Sequence, residues 1–344
     1  MNILAIDTSC DETAAAVTHK SQIFSNVVWS QSSLHSSFGG VLPSLAQRMH
    51  TERIEFVVYK ALGKKHKALK DIDAVAVTTG PGLAIALSVG VNYAKELAKK
   101  YNKPLIPVNH IESHLLSPIA SPKSKVISKN FQFPSFGLVL SGGTTMLVLI
   151  KNIGEYEILA QTSDDALGEA LDKSARLLGF GYPGGAILEK MAKHGNPNRF
   201  KLPIPLINDK EKNRFSYSGL KTAFVRLFET IKNPTKQDIY DLAACFQSVA
   251  FEHICRVLEY QISNMPYTIS HMLLGGGVSA NVELRKKLRK ICRKNNIIMH
   301  IPYSIRLTGD NAGMIGTTAY LKNQKLNAKY KNIDDVDINP RLSL

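Results

Sequence analysis

His110 and His114 stand four residues apart in the run Asn109-His110-Ile111-Glu112-Ser113-His114. On a helix, that spacing stacks both imidazoles on one face, one turn apart. Such a pair suits a single divalent metal. His-x-x-x-His also occurs on ordinary helix surfaces, so a third ligand decides the matter. Asp310 is the best candidate, because it stands at a helix start and completes a two-histidine, one-carboxylate set. The competing use of an aspartate there is helix capping. Asp7 and Asp11 are further carboxylates able to approach the ion, directly or through water.

Several glycine turns offer places for a phosphorylated ligand. The hydroxyl and N–H groups of Ser141-Gly142-Gly143 can hold a phosphate. Gly80-Pro81-Gly82 lies between a strand and a helix, an anion-friendly corner that is equally a tight βα turn. Tyr182-Pro183-Gly184-Gly185 permits close approach of a ligand to backbone. Gly275 to Asn281 is a plausible nucleoside or phosphate seat. Asp172 could accept from ribose hydroxyls or be a plain surface aspartate, and Glu189 carries the same two readings.

The elements that must position these groups follow from apolar patterning. Strands are expected at Ile3 to Asp7, Ala14 to Thr18, Ile23 to Trp29, Asp73 to Thr79 and Leu105 to Val108. Helices are expected at Pro43 to Leu62 and Leu83 to Lys99, with the histidine helix after Val108. Ser121 to Phe133 reads as a connector. Beyond it the opening pattern recurs: strand Phe136 to Leu140, the turn Ser141 to Thr145, and strands Met146 to Ile150 and Tyr156 to Gln161. Helices then cover Leu167 to Gly179, Ala186 to Lys193, Lys236 to Ile262 and the stretches running to Ile231, Lys294 and Leu321. The recurrence predicts two related α/β lobes with facing turns and a cleft between them. The expected division is 1–115 and 116–321, with about 322–344 packing back on the first lobe.

The chain has 344 residues, 44% hydrophobic and 21% charged, an ordinary globular composition long enough for two lobes. No apolar run approaches a membrane span, and the first residues lead straight into a strand rather than an export signal. The scattered Cys10, Cys245, Cys255 and Cys292 read as reduced thiols in a cytoplasmic setting. The net charge of +15 points to a polyanionic partner, with a solvated Lys-rich surface as its rival. Basic residues concentrate at Lys64 to Lys70, Lys95 to Lys103, Lys210 to Arg214 and Arg285 to Lys294.

Taken together, several runs resemble the TsaD family of tRNA N6-adenosine threonylcarbamoyltransferases, once labelled O-sialoglycoprotein endopeptidases. They are Ile6-Asp7-Thr8-Ser9-Cys10-Asp11-Glu12-Thr13, Gly80-Pro81-Gly82-Leu83, the histidine run, Ser141-Gly142-Gly143-Thr144-Thr145, Glu169-Ala170-Leu171-Asp172-Lys173, Tyr182-Pro183-Gly184-Gly185, Phe215-Ser216-Tyr217-Ser218-Gly219-Leu220-Lys221-Thr222, Gly276-Gly277-Val278-Ser279-Ala280-Asn281 and Asp310-Asn311. They span nearly the whole chain in the family's order. The resemblance implies the two-lobed fold of actin, Hsp70 and sugar kinases, with a nucleotide cleft. It implies transfer of a threonylcarbamoyl group from threonylcarbamoyl-AMP to N6 of adenosine 37 in tRNAs reading codons that begin with A. It implies one metal, iron(II) or alternatively zinc, on His110, His114 and Asp310. Substrate contacts carry over to Val139, Leu140, Ser141, Gly142, Gly143, Asp172, Gly185, Glu189 and Asn281. The tRNA anticodon arm, a TsaB-like paralogue and a TsaE-like ATPase are the implied partners, with TsaC supplying the intermediate. Thr144, Ser44 and Met49 depart from the residues usual in the family.

The donor is a mixed carbamic–phosphoric anhydride, and the adenine amine is a poor nucleophile. Catalysis is therefore expected to rest on positioning and charge stabilisation rather than a covalent enzyme intermediate. Asp11 and Glu12 are the candidates to accept the amine proton. A zinc protease needs a glutamate next to the first histidine, whereas Glu112 is two residues beyond His110. A non-catalytic nucleotide-binding partner would not need both histidines and Asp310, and a sugar kinase is the third alternative.

Overall fold

The computed structural model describes residues 1–63, 71–120, 131–326 and 332–344, with the side chains of 325 and 326 left aside. The basic run 64–70 and most of the connector 121–133 lie outside the described residues. The chain begins with β1 (Asn2–Asp7), β2 (Glu12–His19), β3 (Gln22–Ser30), α1 (Ser32–His35) and α2 (Pro43–Leu62). Then come β4 (Ala74–Gly80), α3 (Ala84–Lys100), β5 (Leu105–Asn109) and α4 (His110–Leu116). The middle holds β6 (Ser135–Leu140), β7 (Thr145–Asn152), β8 (Glu155–Thr162), α5 (Leu167–Leu177), α6 (Gly185–Ala192), β9 (Arg214–Phe215), α7 (Ser218–Glu229) and α8 (Lys236–Ser263). Last are β10 (His271–Gly275), α9 (Val282–Lys294), β11 (Ile298–His300) and α10 (Ala312–Leu326).

The elements form two compact units. One comprises Met1–Phe131, Asn152–Glu155 and Ile301–Leu344, the other Gln132–Lys151 and Tyr156–His300. These bounds differ from the division at 115 and 321 expected from sequence, and the reason lies on the first sheet. Its strand order is β3-β2-β1-β4-β5. β1 pairs antiparallel with β2 and parallel with β4, and β4 pairs parallel with β5. Alternate residues of a strand face opposite sides. Leu4, Ile6, Ala15, Val17, Val75 and Val77 accordingly pack with Ile54, Val57, Val58 and Val91 of α2 and α3. The opposite face is built from smaller groups: Ala5, Ala14, Ala16, Ala74 and Ala76 beside Ile3. Small side chains let a helix approach closely, and the helix that does so is α10, through Ala312, Met314, Ile315, Ala319 and Tyr320. Its own glycines complete the fit. A Cβ on Gly316 would stand 2.6 Å from Thr18 Oγ1, and one on Gly313 2.7 Å from Ile23 Cδ1. Residues 301–321 therefore belong with the N-terminal strands. The C-terminal residues join the same unit, with Val336 in the α2–α3 core.

The second sheet runs β11-β10-β6-β7-β8-β9. β6 pairs antiparallel with β7 and parallel with β10, which pairs parallel with β11. Its β8-β7-β6-β10-β11 repeats the order β3-β2-β1-β4-β5, with β9 added at the edge. The recurrence of strand–turn–strand seen in sequence is thus a duplication of topology. α8 supplies much of this unit's apolar bulk through Phe246, Phe251 and Ile254. A capping box between Thr235 and Asp238 starts it.

Candidate active site

In the first unit, β5 delivers the chain to α4 at Asn109. The Asn109 side chain caps the helix, accepting from the N–H groups of Ile111 at 2.8 Å and Glu112 at 3.1 Å. Asn109 Nδ2 also donates to the carbonyl of Ser343, tying the chain terminus to this corner. The cap fixes the first turn of α4 and hence the directions of His110 and His114. Their rings meet edge to face with centroids 4.7 Å apart.

Asp310 arrives from the start of α10. Capping of that helix falls to its neighbour: Asn311 Oδ1 accepts from the Met314 N–H at 3.1 Å, and Asn311 is fully buried. The Asp310 carboxylate is thereby free of the capping duty. Asp310 Oδ1 lies 2.9 Å from His114 Nε2 and 3.5 Å from His110 Nε2. One donor atom from each of the three residues falls within 4.8 Å of the others. Behind the first ring, Asp7 Oδ2 is 3.6 Å from His110 Nδ1, and both atoms are buried without a hydrogen-bond partner.

The electrostatics favour a cation. Burial alone would lower the His110 pKa, but the carboxylates of Asp310 and Asp7 outweigh it and raise the ring well above its ordinary value. Burial would raise Asp310, but His110 and His114 hold its carboxyl far down. Two imidazole nitrogens and a carboxylate oxygen converging in a partly buried, net-acidic corner fit a divalent ion, with Asp7 placed to orient the first ring.

The turn between β1 and β2 carries Asp11 and Glu12. Asp7 Oδ1 accepts from the Ser9 N–H at 3.2 Å, and Thr8 Oγ1 donates to the Ala86 carbonyl at 2.8 Å. Burial raises the Glu12 carboxyl well above its ordinary value, and Asp310 and Asp11 push the same way. Ser30 Oγ donates to Glu12 Oε1 at 2.9 Å. Burial also raises the Cys10 thiol, reinforced by Asp11, Asp310 and Glu12, so it stays protonated and a poor nucleophile.

Gly80-Pro81-Gly82 does not form an anion corner, because the chain itself fills the space. The Gly82 N–H donates to the Pro340 carbonyl at 3.2 Å. A Cβ on Gly82 would stand 2.4 Å from the Ser9 carbonyl oxygen, and one on Gly80 1.8 Å from that of Asn339. Glu112 is also accounted for: it is 2% exposed and pairs with Lys322 Nζ of α10 at 2.8 Å. A buried carboxylate tied to a lysine cannot serve as the base of a metalloprotease.

In the second unit, Val139 and Leu140 are fully buried at the end of β6 and support the turn that follows. The Ser141 N–H donates to the Thr144 carbonyl at 2.8 Å, and Ser141 Oγ accepts from the Thr144 N–H at 3.1 Å. A Cβ on Gly142 or Gly143 would meet nothing within 4 Å. Both glycines are exposed, and their N–H groups have no partner among the described residues. The close approaches lie beside this turn, where a Cβ on Gly168 would be 2.5 Å from the Ser141 carbonyl oxygen. A Cβ on Gly276 would be 2.3 Å from that of Leu140.

Asp172, Glu189 and Asn281 are engaged in holding helix starts. Asp172 Oδ1 accepts from the N–H groups of Gly184 at 2.9 Å and Gly185 at 2.7 Å, fixing the beginning of α6. Asn281 Oδ1 accepts from Leu284 at 3.1 Å and Glu189 Oε1 from Val282 at 3.0 Å, both at the beginning of α9. Asn281 Nδ2 donates to Gln247 Oε1 at 2.9 Å. Sequence reading passed over Asn311 as a cap and gave no role to Gln31, His35 or His50. Only Asn311, next to Asp310 at a helix start, carried a usable signal.

The chain is similar to known proteins over nearly its whole length. The family model described as "TsaD: tRNA N6-adenosine threonylcarbamoyltransferase" matches residues 22–317. A protein of that name from Endomicrobium trichonymphae is 42% identical over 349 residues, covering 100% of this chain and 98% of its own length. One from Trichlorobacter lovleyi is 43% identical over 325 residues, covering 93% and 92%. Among solved structures, full-length HypF in its phosphate- and nucleotide-bound form superimposes with a TM-score of 0.58 at 13% identity, over 95% of this chain and 56% of HypF. The structure described as T.kodakarensis HypF gives 0.53 at 17% identity, over 97% of this chain and 49% of that one. These likenesses show that the chain shares its two-sheet α/β fold with HypF.

Proposed function

Since the chain belongs to the TsaD family of tRNA N6-adenosine threonylcarbamoyltransferases, we propose that it transfers threonylcarbamoyl from threonylcarbamoyl-AMP to N6 of adenosine 37 in tRNAs reading codons that begin with A. It is an acyltransferase that modifies tRNA. In the step, N6 bonds to the carbamoyl carbon, the bond from that carbon to the phosphate oxygen breaks, AMP leaves, and N6 gives up a proton.

His110, His114 and Asp310 would hold one divalent metal, iron(II) or alternatively zinc, since two imidazoles and a carboxylate suit either. Such an ion supplies positive charge opposite an anionic oxygen of the donor. The protein's own groups carry the rest. Asp11 and Glu12 are the candidates to take the N6 proton, and burial raises the Glu12 carboxyl above its ordinary value. The unpartnered N–H groups of Gly142 and Gly143 are suited to bind phosphate oxygens. Ser141 shapes that turn. Val139 and Leu140 anchor it, and Asp172, Gly185, Glu189 and Asn281 bind substrate or fix the helix starts that do.

A TsaB-like paralogue and a TsaE-like ATPase are the proposed protein partners, with the tRNA anticodon arm as the polyanion and the cytoplasm as the setting. Among the described residues no helix is long and apolar enough to cross a membrane. The single observation carrying this reading is the convergence of His110, His114 and Asp310 in one partly buried corner. To test it, tRNA is incubated with the chain, its partner proteins, threonine, bicarbonate and ATP, and its nucleosides are analysed. Threonylcarbamoyladenosine is expected with wild type and not with folded His114→Ala, which should also lose its metal. Wild-type product formation by metal-free His114→Ala would overturn the assignment.

A further inference from the structure

Beneath the acidic turn of the first unit lies a set of polar side chains that the reaction does not touch. Thr13, Gln31, His35 and His50 are all fully buried. Their hydrogen bonds allow only one assignment of protons. The Cys10 carbonyl can only accept, so His50 Nε2, 2.9 Å away, carries the hydrogen. His50 Nδ1 must then accept, and it does so from Thr13 Oγ1 at 2.8 Å and Gln31 Nε2 at 3.3 Å. With its amide nitrogen so directed, Gln31 presents Oε1 to His35 Nε2 at 3.1 Å, which must carry a hydrogen. His35 Nδ1 is left as an acceptor, and the Leu42 N–H donates to it at 3.3 Å. The two ends, a carbonyl at Cys10 and an N–H at Leu42, are fixed independently. The orientation of the Gln31 amide satisfies both.

We propose that His50 is a positioning residue for the acidic turn, and that with Gln31 and His35 it forms a relay of neutral groups joining the start of α2 to the backbone of Cys10. The proposal rests on the assignment of Asp11 and Glu12 as proton acceptors. The relay holds successive turn residues from one side: His50 grips the Cys10 carbonyl, the Gln31 N–H donates to the Asp11 carbonyl at 3.0 Å, and Ser30 Oγ bonds Glu12. A packing role alone would be served as well by apolar side chains, which need no partners. What the polar set adds is a fixed position for the turn that bears the carboxylates.

The relay works only with uncharged rings. A proton on His50 Nδ1 would face the Gln31 N–H, and turning that amide would set its N–H against the His35 Nε2–H. Burial lowers the His50 pKa; Asp7 and Asp11 oppose this, and His35 adds to it. The arrangement is therefore intact at neutral pH and fails on the acid side.

Histidine 15N spectra of the full-length chain test the proton assignment without reference to activity. His50 should be a neutral Nε2–H tautomer at pH 7. An Nδ1–H tautomer or an imidazolium there would overturn the proposal. Modification kinetics with the partner proteins then separate positioning from scaffolding. His50→Phe is expected to lower kcat by about 10–100-fold with the KM for the acylated adenylate and the metal content unchanged. His50→Gln, whose amide can both donate and accept, should recover most of that loss, with the acid limb of kcat moved to lower pH. Equal losses in both variants with an unmoved pH profile would leave only a scaffold and sink the idea. Failure of the underlying assignment appears differently, as full activity in both Asp11→Asn and Glu12→Gln.

Discussion

At the scale of single residues, the same side-chain types serve two kinds of chemistry, and only neighbours decide between them. Aspartate and asparagine are adjacent at 310 and 311, and either could cap α10. The structure gives the cap to Asn311 and leaves Asp310 to the histidines. At Asp172, Glu189 and Asn281 helix starts claim the carboxylate or amide oxygen. The metal corner also has a measurable proton linkage. His110 is held above its ordinary pKa, so without an ion it stays protonated into the neutral range. Metal binding requires the free imidazole and must expel that proton. Apparent affinity should therefore rise with pH until the ring has titrated. Calorimetry in buffers of different ionisation enthalpy should find about one proton released per ion at pH 7. Asp310→Asn should bind metal weakly and release less of that proton, because its strongest holder is gone. Proton release that is nil in wild type would contradict the geometry. The two histidines were legible as a pair from their spacing, whereas Asp310 was one candidate at a helix start until the coordinates brought it to them. The relay through His50 was not legible, because Gln31, His35 and His50 resemble any polar residues of a helical region until coordinates join them.

At the scale of elements, β1 was legible as an unbroken apolar run, and Ile3 to Ile6 are all fully buried. Less legible was the difference between its two faces, because what covers each face comes from different distances along the chain. α2 and α3 are near neighbours in sequence, whereas α10 returns from residue 312 to cover the alanine face. The expected lobe boundary at 321 failed for that reason: a local pattern shows that α10 is a helix but not which sheet it joins. The glycines of α10 were the overlooked sign. Thr18, against which Gly316 lies, is fully buried and stiff about χ1. Gly316→Ala places a methyl 2.6 Å from Thr18 Oγ1 and 2.7 Å from Cγ2, so α10 must move away from the sheet. The expected cost is about 1–3 kcal/mol in denaturant unfolding. Because Asp310 begins the same helix, metal affinity should fall as well. A variant of unchanged stability and affinity would mean that the helix has room the distances deny.

At the scale of the whole molecule, two sheets of like strand order divide the chemistry, with the ion corner in one unit and the exposed Gly142–Gly143 turn in the other. A tRNA gripped by charge would find the net +15 unequally available over the surface. Lys95 and Lys99 are committed to Asp334, and Lys212 and Arg214 to Asp209. On α9, Lys286 meets Glu283 and Lys287 meets Glu252, but Arg289, Lys290, Arg293 and Lys294 are exposed and have no carboxylate partner among the described residues. The inner side of α9 buries Leu284, Leu288, Ile291 and Cys292, so its position does not depend on those cations. Phosphate contacts release counterions, and affinity then falls steeply with salt. Wild-type tRNA affinity should drop by orders of magnitude between about 50 and 200 mM salt. Changing Arg289, Lys290, Arg293 and Lys294 together to Gln should weaken binding at low salt and reduce the slope of log affinity against log salt by about 2–3. Metal content and unfolding midpoint should stay at wild-type values, because none of the four touches the ion corner or the core. An unchanged slope would remove α9 from the tRNA surface and leave its charge as a solvated face.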